Sequence, residues 1–216
     1  MVICNGLVRS WLRKNADVDL LFIPCRRDNR ASVAWMYRDE RRVRLISIPN
    51  RNPYAFISRN IEPAWRKQDK PITNLTCFEA HEFDPTIFDR EFYRLADIPF
   101  DEKWNSSYFN RDASVELAPR KGALLIHDDS SRGFTLSRKR FPELRNATHV
   151  QDYNRDNVFT LMSALEQADE LHVINSSIFN LMELANPKEG QKRFWHFYAR
   201  PELSIPDVKL HWEKIT

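Results

Sequence analysis

Short apolar runs, bounded on both sides by polar residues, punctuate the chain. They are Val2-Ile3-Cys4, Leu20 to Ile23, Val43 to Ile48, Ala123 to Ile126 and Leu171 to Ile174. Runs this short and rich in β-branched residues predict strands buried on both faces of a sheet. One-sided helical patterns fall between them. Leu7 to Lys14 predicts a helix after the first run, and Ser32 is placed to cap a helix carrying Val33, Met36 and Tyr37. Phe88, Phe92 and Leu95 recur at helical spacing. Asp156 is placed to cap a helix with Val158, Leu161, Met162 and Leu165 on one stripe, and Ile178, Leu181, Met182 and Ala185 repeat that stripe after the last run. Strands alternating with helices predict an α/β chain built from βαβ units with mainly parallel sheets.

The stretch from about residue 49 to 120 breaks this rhythm with seven prolines, at 49, 53, 63, 71, 85, 99 and 119. It predicts a connecting segment with a hinge near residue 115, between an N-terminal unit (1–114) and a C-terminal unit (115–216). The last twenty residues, with Pro201 and Pro206, predict a short helix or arm around Trp212.

Composition narrows the function. The 216 residues contain only four glycines, which excludes a glycine-rich phosphate loop and the dinucleotide fingerprint. Lys and Arg number 33 against 30 acids, a net charge of +3 that permits an anionic ligand without demanding nucleic acid. Cys4, Cys25 and Cys77 form no CxxC pair and predict reduced thiols in a cytoplasmic protein. The histidines lack metal-ligand spacing, so no metal is expected. No apolar run is long enough to span a bilayer, so no membrane association is expected.

Three strand ends carry the candidate chemistry. After Ala123 to Ile126 come His127, Asp128, Asp129, Ser130, Ser131, Arg132 and Gly133. Ligands of open α/β sheets sit at the carboxyl ends of strands, where Arg132 can grip a phosphate and Gly133 lets backbone approach it. The alternative is an Asp-Asp-Ser turn with Arg132 paired locally. After Leu171 to Ile174, the sequence Asn175-Ser176-Ser177 opens a helix, a natural place for a diphosphate and equally for a plain serine cap. Asn5, Gly6 and Arg9 follow the first run and either face a cleft or form a tight turn. Asp28, Asp39, Asp129 and His81 are candidate general bases.

Taken together, Ile3-Cys4-Asn5-Gly6-Leu7-Val8-Arg9, Arg38-Asp39, Ile98 to Trp104, His127 to Phe134 and Glu170 to Ser177 resemble glycosyltransferase-like proteins of bacteria and of large viruses or phages, compact relatives of the GT-B fold. The resemblance implies two small Rossmann-like lobes with a cleft between them. The first lobe would serve the acceptor and the second the nucleotide-sugar donor. It implies donor contacts from Arg132, Gly133, Asn175, Ser176 and Ser177, with His127, Asp128 and Asp129 lining the same pocket and Asn5, Gly6 and Arg9 facing it. The implied reaction moves a sugar from a nucleoside-diphosphate sugar to a hydroxyl of a glycan or small molecule, with no cofactor or metal required. Two other readings stay open: a phage-type enzyme acting on hydroxymethylated DNA, and a module that binds nucleotide-sugar or glycan without turnover.

Overall fold

Seven strands gather into two all-parallel sheets in the computed structural model, which describes residues 2–49, 53–61, 63, 67, 84–118, 122–153, 157–201 and 207–216. The smaller sheet pairs β1 (Leu21–Arg26) with β2 (Val43–Ile48), Leu21 lying opposite Val43. The larger has five strands: β3 (Leu124–His127), β4 (Thr148–His149), β5 (Glu170–Val173), β6 (Lys192–His196) and β7 (Glu213–Ile215). Their order is β4-β3-β5-β6-β7. The chain steps outward from β3 to β4, then crosses back over β3 to form β5. The direction of winding therefore reverses between β3 and β5, the place where doubly wound sheets open a crevice beyond their strand ends.

Helices connect and cover the strands: α1 (Asn5–Lys14), α2 (Arg30–Met36), α3 (Pro53–Phe56), α4 (Phe88–Leu95), α5 (Glu102–Asn105), α6 (Met162–Gln167) and α7 (Ser177–Met182). None of them is long and apolar enough to cross a membrane. Alternation along the strands sorts side chains onto two faces. Leu125, Leu171, Val173 and Trp195 join one large apolar cluster, which also takes in Leu7, Leu12, Ile23, Val33, Met36 and Tyr93 from the first half of the chain. Ile126 and Ile174 point the other way, into a smaller cluster with Leu136 and Leu144. The same apolar cluster thus packs against both sheets. Polar ties cross the same boundary, with Val158 N donating to Ser32 Oγ at 3.0 Å and Lys103 Nζ to Asp207 O at 2.9 Å.

Several expectations need correction. Val2–Cys4 is a 3-10 turn, not a strand. Tyr93 explains it: Leu7 N donates to Tyr93 Oη at 3.1 Å, and the same hydroxyl donates to Ile3 O at 2.8 Å. Backbone groups that a strand would offer to a neighbour are instead satisfied by one buried phenol. Ser32 lies inside α2, whose N-cap position is taken by Asn29. Asp156 lies outside the described residues; Asn157 Oδ1 accepts from Phe159 N, and a 3-10 turn (Val158–Leu161) leads into α6. The expected arm around Trp212 is strand β7. β4, β6 and β7 have no counterpart among the expected strands.

Candidate functional site

The carboxyl ends of β3 and β5 lie side by side, His127 opposite Val173. From β5 the chain passes through Ile174 and Asn175 to Ser176, whose extended backbone and hydroxyl cap α7 by accepting from Phe179 N at 3.4 Å. A cavity of about 240 Å³ opens here. Asn175, Ser176, Ser177, Asn180 and Arg200 form its polar wall. The facing wall comes from the first half of the chain, with Asn29, Ser32, Val33 and Met36 of the α2 region, and Phe88 of α4. Val158 and Phe159 complete an apolar corner.

Arg200 reaches this cavity because it ends the 3-10 turn after β6, the next strand in the sheet. Its Nη1 donates to Asn175 O at 3.1 Å, and its guanidinium carbon lies 4.9 Å from the Phe134 ring centre. These two contacts orient the head group at the cavity wall, and a guanidinium so placed suits an anion. Asn180 Nδ2 donates to Ser176 O at 2.8 Å, which fixes the amide orientation. Its Oδ1 is buried and has no hydrogen-bond partner among the described residues. Such an acceptor costs about 1–3 kcal/mol until a donor meets it. The lining therefore combines a guanidinium, hydroxyl donors, an unpartnered acceptor and apolar surface.

Of the anticipated donor residues, Asn175, Ser176 and Ser177 line this cavity, whereas His127, Asp128, Arg132 and Gly133 are not in its lining. His127 is buried at the end of β3, and desolvation pulls its imidazole down to about 4 against the opposing pull of Asp128 and Asp129. Asp128 is structural in its bonding: Oδ2 accepts from Leu136 N at 3.0 Å and Arg138 Nη1 at 2.7 Å, and its carbonyl accepts from Gln151 Nε2 at 3.1 Å. Asp129 to Phe134 close on themselves through Asp129 N to Phe134 O at 2.7 Å and the return bond at 2.9 Å. Gly133 sits at φ 80°, a left-handed position that closes the turn. Arg132 pairs with Asp129 at 2.5 Å. Partial burial pushes the Asp129 carboxyl up, but bonds from Ser131 and Arg132 outweigh it and hold the group below its ordinary value.

The first-half trio packs α1. Asn5 Oδ1, fully buried, accepts from Tyr108 N at 2.7 Å. Gly6 touches α5 so closely that a Cβ would overlap the Glu102 carbonyl oxygen. Arg9 clamps Asp39 through two bonds of 2.9 and 3.1 Å and donates to Met36 O at 2.9 Å. Burial raises the Asp39 carboxyl, yet Arg9 overrides it and leaves the group lowered, a weak base. Asp28 is exposed and adjoins the cavity-lining Asn29 in the turn before α2. His81 lies outside the described residues.

Sequence reasoning missed Arg200, Asn180 and the α2 wall. Arg200 was findable only by recognising β6, whose Lys192-Arg193-Phe194-Trp195-His196 mixes charge with aromatics and so hides a buried strand. Comparison with protein-family models, with curated proteins and with solved structures finds no match. The assignment therefore stands on geometry and chemistry.

Proposed function

We propose that the protein binds a nucleoside-diphosphate sugar in this cavity and transfers the sugar to a hydroxyl acceptor. The observation that carries the reading is the polar wall at the reversal of the sheet, where Arg200, Ser176 and Ser177 line one cavity together with the apolar Val33, Met36, Val158 and Phe159. The diphosphate lies against Arg200 and the two serines. The contact strengthens as the leaving diphosphate gains charge, which is where transfer is accelerated. Val33, Met36, Val158 and Phe159 receive the base. Asn180 Oδ1 accepts from a ribose or sugar hydroxyl and so relieves its own burial. Asp28, next to Asn29, deprotonates the acceptor; Asp39 and Asp129 are closed onto arginines and held weakly basic.

One observation favours a second reading. The described residues that line the cavity include neither a carboxylate nor an imidazole. A module that binds nucleotide-sugar without turnover fits that lining as well. Two measurements separate them. Thermal shift against GDP, UDP, CDP, ADP, dTDP and their sugars should show a selective rise with one base, since ligand binding stabilises by mass action. With that sugar as donor, Asp28→Asn should lower turnover roughly 100-fold or more while leaving binding intact. Binding with no turnover by the wild type across a broad acceptor panel establishes the module. Absence of any shift removes both readings.

A further inference from the structure

We propose that the groove between α2 and β2 is a binding surface for the phosphate backbone of nucleic acid. Arg30, Arg38, Arg41 and Arg44 line this groove of about 450 Å³, together with Tyr37 and one acid, Glu40. Helix α2 separates it from the cavity. Asn29, Ser32, Val33 and Met36 face the cavity, whereas Arg30, Ala34 and Tyr37 face the groove. That split follows the helical period, so the two surfaces lie back to back and the proposal does not depend on the nucleotide-sugar reading.

All four arginines are exposed, and none forms an ion pair among the described residues. Neutral groups hold three of them in place. Arg30 Nη1 donates to Ser47 Oγ at 2.9 Å, and Arg44 Nη1 to Val43 O at 3.0 Å. Arg38 Nη2 donates to Asn110 O at 2.7 Å while its guanidinium lies 3.6 Å from the Trp35 ring centre. These bonds orient the guanidinium groups without cancelling their charge. Of the nearby acids, Glu40 accepts from Arg42 N and Nε at 3.1 and 3.2 Å and Asp39 is clamped by Arg9, while Asp112 accepts from Ser114 and feels Arg38 only at longer range. Elsewhere Arg90, Arg111 and Arg138 close onto carboxylates. A single phosphate engages one or two guanidinium groups. Four in one concave strip match a chain of phosphates, and guanidinium geometry suits phosphate oxygens. Beyond the arginines the groove is lined by Tyr37, Glu40 and the apolar Ala34, Val43 and Leu45, with no amide side chain among the described residues to read a base edge, so binding is to the backbone and independent of sequence.

The test is fluorescence anisotropy with a labelled DNA duplex of about 20 base pairs, titrated between about 50 and 300 mM salt. The wild type should bind with an affinity that falls steeply with salt. The triple variant Arg38→Gln, Arg41→Gln, Arg44→Gln should bind at least tenfold more weakly near 100 mM salt and lower the log–log salt slope by about 2 to 3. A charge-matched control, Lys139→Gln, Arg140→Gln, Arg145→Gln, should keep the wild-type slope. Should the triple variant fail to fold, Arg41→Gln alone should lower the slope by about 1. The proposal is overturned if the wild type does not bind the duplex, if the control loses as much as the groove variant, or if an acidic polypeptide competes as well as unlabelled duplex.

Discussion

Gly6 and Asn180 illustrate how single atoms decide structure and recognition here. At Gly6 the missing Cβ lets α1 lie directly on the Glu102 backbone, and a methyl group would have to displace a carbonyl that cannot swing away. Gly6→Ala should therefore destabilise the fold by about 2–3 kcal/mol, the range for forcing extra volume into a packed contact. Urea unfolding checks this, and a midpoint equal to wild type would mean that α5 shifts freely. Asn180 is the opposite case, an atom placed for something else. Its amide is oriented by Ser176 O, so Oδ1 is committed to accepting. Asn180→Leu should leave or raise thermal stability, because it removes a buried unsatisfied oxygen, while weakening nucleotide-sugar binding about tenfold. Parallel melting and titration curves test both halves.

Between elements, a buried ion pair joins α4 to α5. Lys103 Nζ lies 2.5 Å from Asp89 Oδ2, both side chains almost fully buried, and also donates to Asp207 O at 2.9 Å. Removing one partner strands the other charge. Lys103→Met should cost about 3–5 kcal/mol, and adding Asp89→Asn should restore much of it. If the double variant is no more stable than the single, the pair is not the source of the loss. This scale also shows what the sequence made legible. β2, β3, β5, α1, α4 and α7 were readable because each carries a mainly apolar run or a one-sided apolar stripe. Val2–Cys4 misled because three apolar residues specify burial without specifying conformation; a phenol contributed by residue 93 decides it. β6 was hidden by its own chemistry. His172 and His196 lie on adjacent strands with Nδ1 and Nε2 2.8 Å apart, and Glu170 accepts from His172 at 2.8 Å, so strand positions that look polar pair with one another inside the sheet. The candidate site was half legible for the same reason: Asn175 to Ser177 follow a visible strand, whereas Arg200 follows an invisible one.

For the whole molecule, these imidazoles set the response to acid. Burial lowers His127 to about 4 and His196 to about 3, and lowers His172 despite Glu170. The folded state therefore binds these protons less readily than the unfolded chain, whose histidines titrate near 6.5. Between about pH 6.5 and 4 the unfolded state holds more protons, so stability is full above that window and falls as pH drops through it. Urea midpoints should be flat from about pH 7 to 8 and decline below about 6.5. His127→Gln should flatten part of the decline. A stability that rises on acidification over that window would show the imidazoles to be accessible and charged.

The whole account rests on the polar wall formed by Asn175, Ser176, Ser177, Asn180 and Arg200. Calorimetric titration with the nucleoside diphosphate selected by thermal shift, run on wild type, Arg200→Gln and Arg132→Gln, tests it most directly. Loss of a charge-assisted contact is worth about 1.5–3 kcal/mol, so Arg200→Gln should bind roughly 10- to 100-fold more weakly. Arg132→Gln should bind like wild type. Equal affinity of wild type and Arg200→Gln, with affinity lost instead at Arg132, would contradict the assignment and move the anion to the Asp129–Phe134 turn.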